Sequence, residues 1–125
     1  MPSPARSAAL AVLGLRLAYG AGLIAAPQRL AQRWLGPTSA SAPVQVPLRG
    51  LGARELVIHG FAIAAALRGQ PLRPYLAASA AGDVSDILAT LAGRSELPDG
   101  AAGATVAVAG ASALISGAVA AAVEC

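Results

Sequence analysis

The sequence predicts an all-α integral membrane protein: an up-and-down bundle of four transmembrane helices, with a short interfacial helix after the first span. Two observations carry that expectation. Charged residues make up 12% of the 125-residue chain and hydrophobic residues 56%, whereas an ordinary soluble domain is about 25% charged. The apolar residues also gather into four segments of about 20 residues each, the length that crosses the hydrocarbon core. The last segment, 101–123, holds no ionisable side chain at all. Mean hydropathy is +0.64. A soluble bundle this small needs a charged exterior, and most of these segments have none to offer. The length is that of one domain, 1–125.

The first span is expected over 7–26, where Pro27 stops or kinks the helix. Arg6 followed by an apolar run resembles a secretory signal, but Arg16 interrupts the run and Pro27 would follow the cleavage point. The segment is therefore read as a retained span. Residues 27–35 read as an interfacial helix, with Leu30, Trp34 and Leu35 toward acyl chains and Gln28, Arg29, Gln32 and Arg33 at the headgroups. Trp34 suits an aromatic belt. Residues 36–47 contain three prolines and read as a loop. The second span is expected over 48–67, closed by the turn Arg68-Gly69-Gln70-Pro71. The third runs over 74–92, with Pro74 in the first turn. A polar loop, 93–100, leads to the fourth span at 101–123.

Short connections make the last three spans antiparallel neighbours. The positive-inside count ties, with Arg6, Arg68 and Arg73 on one side and Arg29, Arg33 and Arg94 on the other. Helices in lipid associate through small residues, which points to Gly14, Ala18 and Gly22 in the first span and Ala113, Gly117 and Ala121 in the fourth. Gly50, Gly52 and Gly60 would allow close approach or bending in the second.

All nine basic residues are arginine, and lysine and asparagine are absent, as in proteins from GC-rich bacterial genomes. The expected location is the inner membrane, with membrane lipid as partner. A pI near 10.0 raises nucleic acid as a partner, but the arginines are scattered singly and the four aromatic rings form no stacking platform. Nucleic acid is excluded on that ground. Cys125, the one cysteine, offers neither a disulfide nor a metal-binding spacing.

The chemistry gathers in the spans. Tyr75, Ser79, Gly82, Asp83, Asp86 and Thr90 recur at three- and four-residue steps and share one helical face. An aspartate at the bilayer centre costs about 2.5–3.5 kcal/mol and a leucine returns only about 0.3–0.6. The third span therefore needs partners for Asp83 and Asp86. Arg16, with Tyr19 one turn on, lies in the first span; Arg49, Arg54, Glu55 and His59 lie in the second. Glu55 and His59 share a face, while Arg54 points about 100° away from Glu55. Three arginines against three carboxylates suggest an internally compensated cluster.

Arg49-Gly50-Leu51-Gly52-Ala53-Arg54-Glu55 and Asp83-Val84-Ser85-Asp86, together with Arg16 and Ala26-Pro27, resemble a widespread family of short, alanine-rich bacterial membrane proteins of unknown function. Its members carry an Arg-x-x-Gly-x-Arg-acidic signature opening the second span and Asp-x-x-Asp in the third. Glu55 stands where aspartate is common in the family. The resemblance implies a four-helix membrane fold and the same charged residues, and it supplies no activity.

The cluster admits several functions. One is an acid–base or binding site for a lipophilic small molecule, isoprenoid- or polyketide-like, undergoing cyclisation, epoxide opening or isomerisation. Asp83, Asp86, Glu55, Arg54 and His59 would then be the catalytic candidates, and Arg16, Tyr19, Arg49, Ser79 and Tyr75 would bind substrate. A second is a non-catalytic scaffold or accessory subunit in which the charges only fix helix register. Proton-coupled transport by a homo-oligomer is a third. A Mg²⁺ site on Glu55, His59, Asp83 and Asp86 is disfavoured, because three arginines compete for those carboxylates. No cofactor is expected.

Overall fold

A computed structural model describes residues 3–123, with Arg33 described by its backbone only. Cys125 and the side chain of Arg33 lie outside the described residues. The chain is all-helical, with no strand among the described residues. Helix α1 spans Pro4–Ala25, α2 Pro27–Leu35, α3 Ala42–Leu67, α4 Arg73–Ala92 and α5 Ala101–Ala122. Two short 3₁₀ turns, Gly36–Ala40 and Arg94–Glu96, complete it.

Local chemistry places most boundaries. Ser3 accepts a hydrogen bond from the Arg6 amide at 3.1 Å and caps α1, with Pro4 in the first turn, where no amide donor is needed. Pro27 ends α1 and opens α2. Gly36 (φ +65°), Gly69 (φ +68°) and Gly100 (φ +81°) take the left-handed conformation that starts or stops a helix. Prolines open α3 and α4 as well.

The expected loop over 36–47 is mostly helical instead. Gly36–Ala40 winds into a 3₁₀ turn held by Thr38 Oγ1 to Leu35 O (2.7 Å) and Ser39 Oγ to Gly36 O (2.8 Å). Helix α3 then begins at Ala42, ahead of the expected residue 48. Pro43 falls in the first turn, and Pro47, one turn further in, removes a single backbone bond. Packing offsets that loss: Leu48 is buried with Leu23 and Ala31, and Val44 and Leu51 close over them.

Three helices, α1, α3 and α5, are long and apolar enough to cross a membrane. Helix α4 has the length, with 20 residues, but Asp83 and Asp86 hold its hydropathy below that of the others. The outer surface agrees with a membrane protein: Leu15, Val108 and Leu114 are each about three-quarters exposed. In water such surface costs about 25 cal/mol per Å²; against acyl chains it costs nothing.

Helix α1 packs chiefly on α3, and α4 on α5. One apolar cluster joins Ala9, Leu13, Ala62, Ala65, Leu72, Leu76, Ala120 and Val123; another joins Leu23, Ala31 and Leu48. Of the small residues expected at helix contacts, Gly52 and Gly22 stand at close approaches, Gly22 against Leu30 of α2. A Cβ on Gly52 would lie 2.6 Å from Gly20 O, and one on Gly20 would lie 2.8 Å from Gly52 O. Gly14, Gly50, Gly60 and Gly117 have nothing within 4 Å. Gly20 and Gly52 therefore form the α1–α3 crossing.

Helix α2 packs one face against the bundle. Its Gln28, Arg29 and Gln32 are exposed, but Ala31 is buried against the Leu23–Leu48 cluster and Leu30 lies over Gly22. Trp34 packs on that cluster as well.

Candidate functional site

Arg16, Glu55, His59, Ser79, Asp83 and Ser116 sit beside the apolar clusters and are largely withdrawn from the outer surface. Arg16 of α1 forks onto Asp83 of α4: Nη1 donates to Oδ1 at 3.2 Å, and Nη2 makes a close ion pair with Oδ2. Nη2 also donates to Ser112 Oγ (2.6 Å) and Ser116 Oγ (3.0 Å) of α5. Both charged side chains are nearly nine-tenths buried. One guanidinium thus ties three helices together, the planar fork being suited to bidentate carboxylate recognition.

Asp86 stands differently. Its nearest cation is Arg54 of α3 at 4.0 Å, and both side chains are about half exposed. The expected divergence of Arg54 from Glu55 is seen here: Arg54 turns to α4 while Glu55 turns inward.

Glu55 pairs within its own helix. His59 Nδ1 lies 3.0 Å from Glu55 Oε2 and makes its aligned hydrogen bond with the Glu55 main-chain oxygen at 2.8 Å. Both neighbours of Nδ1 are acceptors, so Nδ1 carries a proton. His59 Nε2 is 2.7 Å from Ser79 Oγ, which is itself 2.9 Å from Tyr75 O. His59 is only 1% exposed, so this chain of polar atoms is sealed inside the α3–α4 contact.

A cavity of about 600 Å³ opens beside these groups. Arg16, Tyr19, Trp34, Glu55, Asp83 and Asp86 line it, together with Thr90, Thr105 and Ser112. Most of the remaining wall is leucine, alanine and valine. Three lining residues, Leu15, Leu30 and Val108, are also strongly exposed and mark its rim. Three buried polar atoms on the wall side chains have no hydrogen-bond partner: Arg16 Nε, Trp34 Nε1 and Glu55 Oε2. The last has only the unaligned approach of His59.

No protein-family model, curated protein or solved structure matches this chain. The site must be read from its own geometry.

Of the residues singled out from sequence, Arg16, Tyr19, Glu55, Asp83 and Asp86 meet at the cavity. Arg54 stands next to it through Asp86, and His59 and Ser79 form a second rank behind Glu55. Two residues fall elsewhere. Arg49 is exposed and donates from Nε to Ile24 O at 3.3 Å, covering a carbonyl at the C-terminus of α1. Arg6 does the same for α3 through Ala66 O, and Arg73 for α5 through Ala120 O. Last-turn carbonyls lack intrahelical donors and carry partial negative charge, which draws the arginines there. Tyr75 packs against the Leu13–Leu76 cluster.

The serines that complete the guanidinium's shell, Ser112 and Ser116, were not anticipated. They stand four apart on α5 and share a face with Thr105, the one polar stripe on an otherwise apolar helix. Trp34 belongs to the wall as well. Among the described residues, no three His, Cys, Asp or Glu side chains converge as metal ligands would.

Proposed function

We propose that this is a four-span inner-membrane protein, folded as an up-and-down bundle, whose cavity binds a lipophilic small molecule arriving from the bilayer. Helix contacts support the topology. Residues near the start of α1 and α4 cluster with residues near the end of α3 and α5, as alternating directions require. The observation that carries the function is the cavity itself: about 600 Å³, apolar over most of its wall and rim, with carboxylates at one side. Ion pairs that served register alone would need no such space.

Within this reading the two aspartates divide their labour. Asp83 is committed to Arg16, whose Nη2 also donates to Ser112 and Ser116, and the group holds the site together. Asp86 and Glu55 face the cavity with looser partners and are the groups able to exchange a proton with a bound molecule. Proton-initiated cyclisation, epoxide opening or isomerisation of an isoprenoid- or polyketide-like molecule suits such a largely apolar, carboxylate-bearing pocket. The sequence likeness to the alanine-rich four-helix family belongs to the same proposal.

Extraction in a mild detergent, followed by mass spectrometry of what co-purifies, tests the reading. A lipophilic molecule is expected in near-stoichiometric amount with the unmodified protein. It should be lost from Ala109→Phe, which fills the cavity from α5. Absence of any such molecule, or equal amounts with both proteins, overturns the proposal and favours a scaffold.

A further inference from the structure

All six carboxylates lie at residue 55 or beyond, so the first 54 residues carry six arginines and no acid. Arg16 and Arg54 reach Asp83 and Asp86 on α4, and Arg6 covers a carbonyl at the end of α3. Arg29 and Arg49 remain. Among the described residues neither makes an ion pair, and Arg29 makes no side-chain hydrogen bond. They nonetheless line one concavity. A second cavity, of about 320 Å³, opens at the bend where Pro27 separates α1 from α2; Gln28 and Gln45 line it with the two arginines, and no acid does. It shares no lining residue with the larger cavity.

Its donors come from three sources. Arg49 belongs to α3, and its Nε donates to Ile24 O at 3.3 Å. That bond fixes the guanidinium at the end of α1 and leaves its two Nη groups without an acceptor among the described residues. Arg29 belongs to α2 and is exposed. The backbone supplies the third set. Helix α2 opens at Pro27 with no side chain capping it and no acid in its first turn. The first amide there to find an acceptor within the turn is that of Leu30, which donates to Ala26 O at 3.3 Å. The Gln28 and Arg29 amides are left without one, at a helix end of partial positive charge. Two like charges on one cavity wall repel, and an anion between them turns that repulsion into two attractions.

Phosphate suits this donor set better than carboxylate. A carboxylate has its oxygens in one plane, and a single guanidinium fork satisfies both. A phosphate group sets more oxygens in a tetrahedron, so guanidinium groups from two helices and backbone amides can share it. We infer that the α1–α2 bend is a phosphate-binding site, with Arg29 and Arg49 as its charged ligands. An anionic phospholipid headgroup and a free phosphate ion present the same group, and a basic pocket at the end of a span is a setting in which the former is taken. The site stands apart from the lipophile cavity and holds whether or not that cavity is filled.

Both sources are tested on the full chain in phosphatidylcholine nanodiscs. In one arm phosphatidylglycerol is titrated into the discs by mole fraction, and native mass spectrometry counts the copies that stay on the released protein. Oleate, an anionic lipid without phosphate, is titrated in parallel. In the other arm radiolabelled inorganic phosphate is dialysed against the discs, with empty discs as blank. Saturable retention of phosphatidylglycerol over oleate, or saturable binding of phosphate, is expected, and the arm that shows it names the source. Arg29→Gln should weaken that binding about tenfold, the worth of one charge-assisted hydrogen bond. Arg29 has no partner among the described residues to lose, so this variant should fold as the parent does. Arg94→Gln removes the same charge from the loop that packs on Gly36 at the other end of α2 and should leave binding unchanged. Equal retention of phosphatidylglycerol and oleate, with no saturable binding of free phosphate, overturns the phosphate assignment. Equal binding by the parent and Arg29→Gln, or saturable binding in neither arm, overturns the site itself. A loss as large with Arg94→Gln does so too, because it would report attraction by net charge alone.

Discussion

Asp83→Asn should destabilise the protein by about 3 kcal/mol, and removing Arg16 as well should restore most of the loss. The substitution keeps the side chain's shape and deletes its charge, leaving the Arg16 guanidinium stranded where its side chain is only 12% exposed. Removing one partner of a buried pair costs about 3–5 kcal/mol, chiefly because of the charge left behind. Ser112 and Ser116 stay on the guanidinium, which places the value near the lower end. Hydrogen bonds between membrane helices average only about 0.6 kcal/mol each, so the serines soften the loss without cancelling it. Arg16→Met strands Asp83 and should cost a similar amount. The double variant leaves no buried charge at this point and should sit within about 1 kcal/mol of the parent, since paired removal is often neutral or stabilising. Unfolding in mixed micelles by titration with dodecyl sulfate gives each free energy, and Trp34, the only tryptophan, reports the transition. Losses that simply add in the double variant would refute the pairing. So would a single variant as stable as the parent.

Two further outcomes follow from packing and hydrogen bonding. Gly52→Ala puts a Cβ 2.6 Å from Gly20 O and 2.9 Å from Leu23 Cβ, groups with no freedom to swing away, and should cost about 1–3 kcal/mol in the same titration. Gly50→Ala, with nothing within 4 Å, should stay within about 0.5 kcal/mol of the parent; equal effects would mean that α1 and α3 do not cross there. Ser79→Ala removes the partner of His59 Nε2 and should cost about 1–3 kcal/mol. Ser85→Ala, on the exposed side of α4, should be silent; equal thermal unfolding of the two variants in detergent would mean that Ser79 and His59 make no sealed contact.

Residues whose message is periodic were legible before any coordinates. Ser79, Asp83, Asp86 and Thr90 announce their face of α4 by spacing alone, and the structure turns that face inward. Arg16 stands out because an arginine in an apolar run must find a partner. Periodicity says which face, however, and not which neighbour. Arg49 and Arg54 lie five residues apart in one charged motif, yet Arg49 serves the end of α1 and Arg54 turns to α4. The packing of Trp34 on the Leu23–Leu48 cluster is not visible in the amphipathic pattern of its nine-residue helix, which gives a face and no partner. The early start of α3 was hidden by Pro43 and Pro47, whose local cost is outweighed by the burial of Leu48. Ser112 and Ser116 were hidden by their small size in a helix of alanine and glycine, where a serine is cheap enough to need no reason.

The charge count itself, three arginines against three carboxylates, suggested one compensated cluster, and the structure separates it into distinct contacts. Asp83 is met from α1, Asp86 from α3, and Glu55 by a histidine of its own helix. That separation matters for how α4 can stand in a bilayer. Two aspartates oppose its insertion by about 2.5–3.5 kcal/mol each on translocon scales, and its own apolar residues leave it less hydropathic than α1, α3 and α5. The cations that answer these aspartates belong to helices earlier in the chain. If α4 spans the bilayer as proposed, it becomes tolerable there only with the cations of α1 and α3, and the cavity lies where that dependence leaves Asp86 and Glu55 incompletely matched. The groups with chemistry to spare are the ones the insertion argument does not consume.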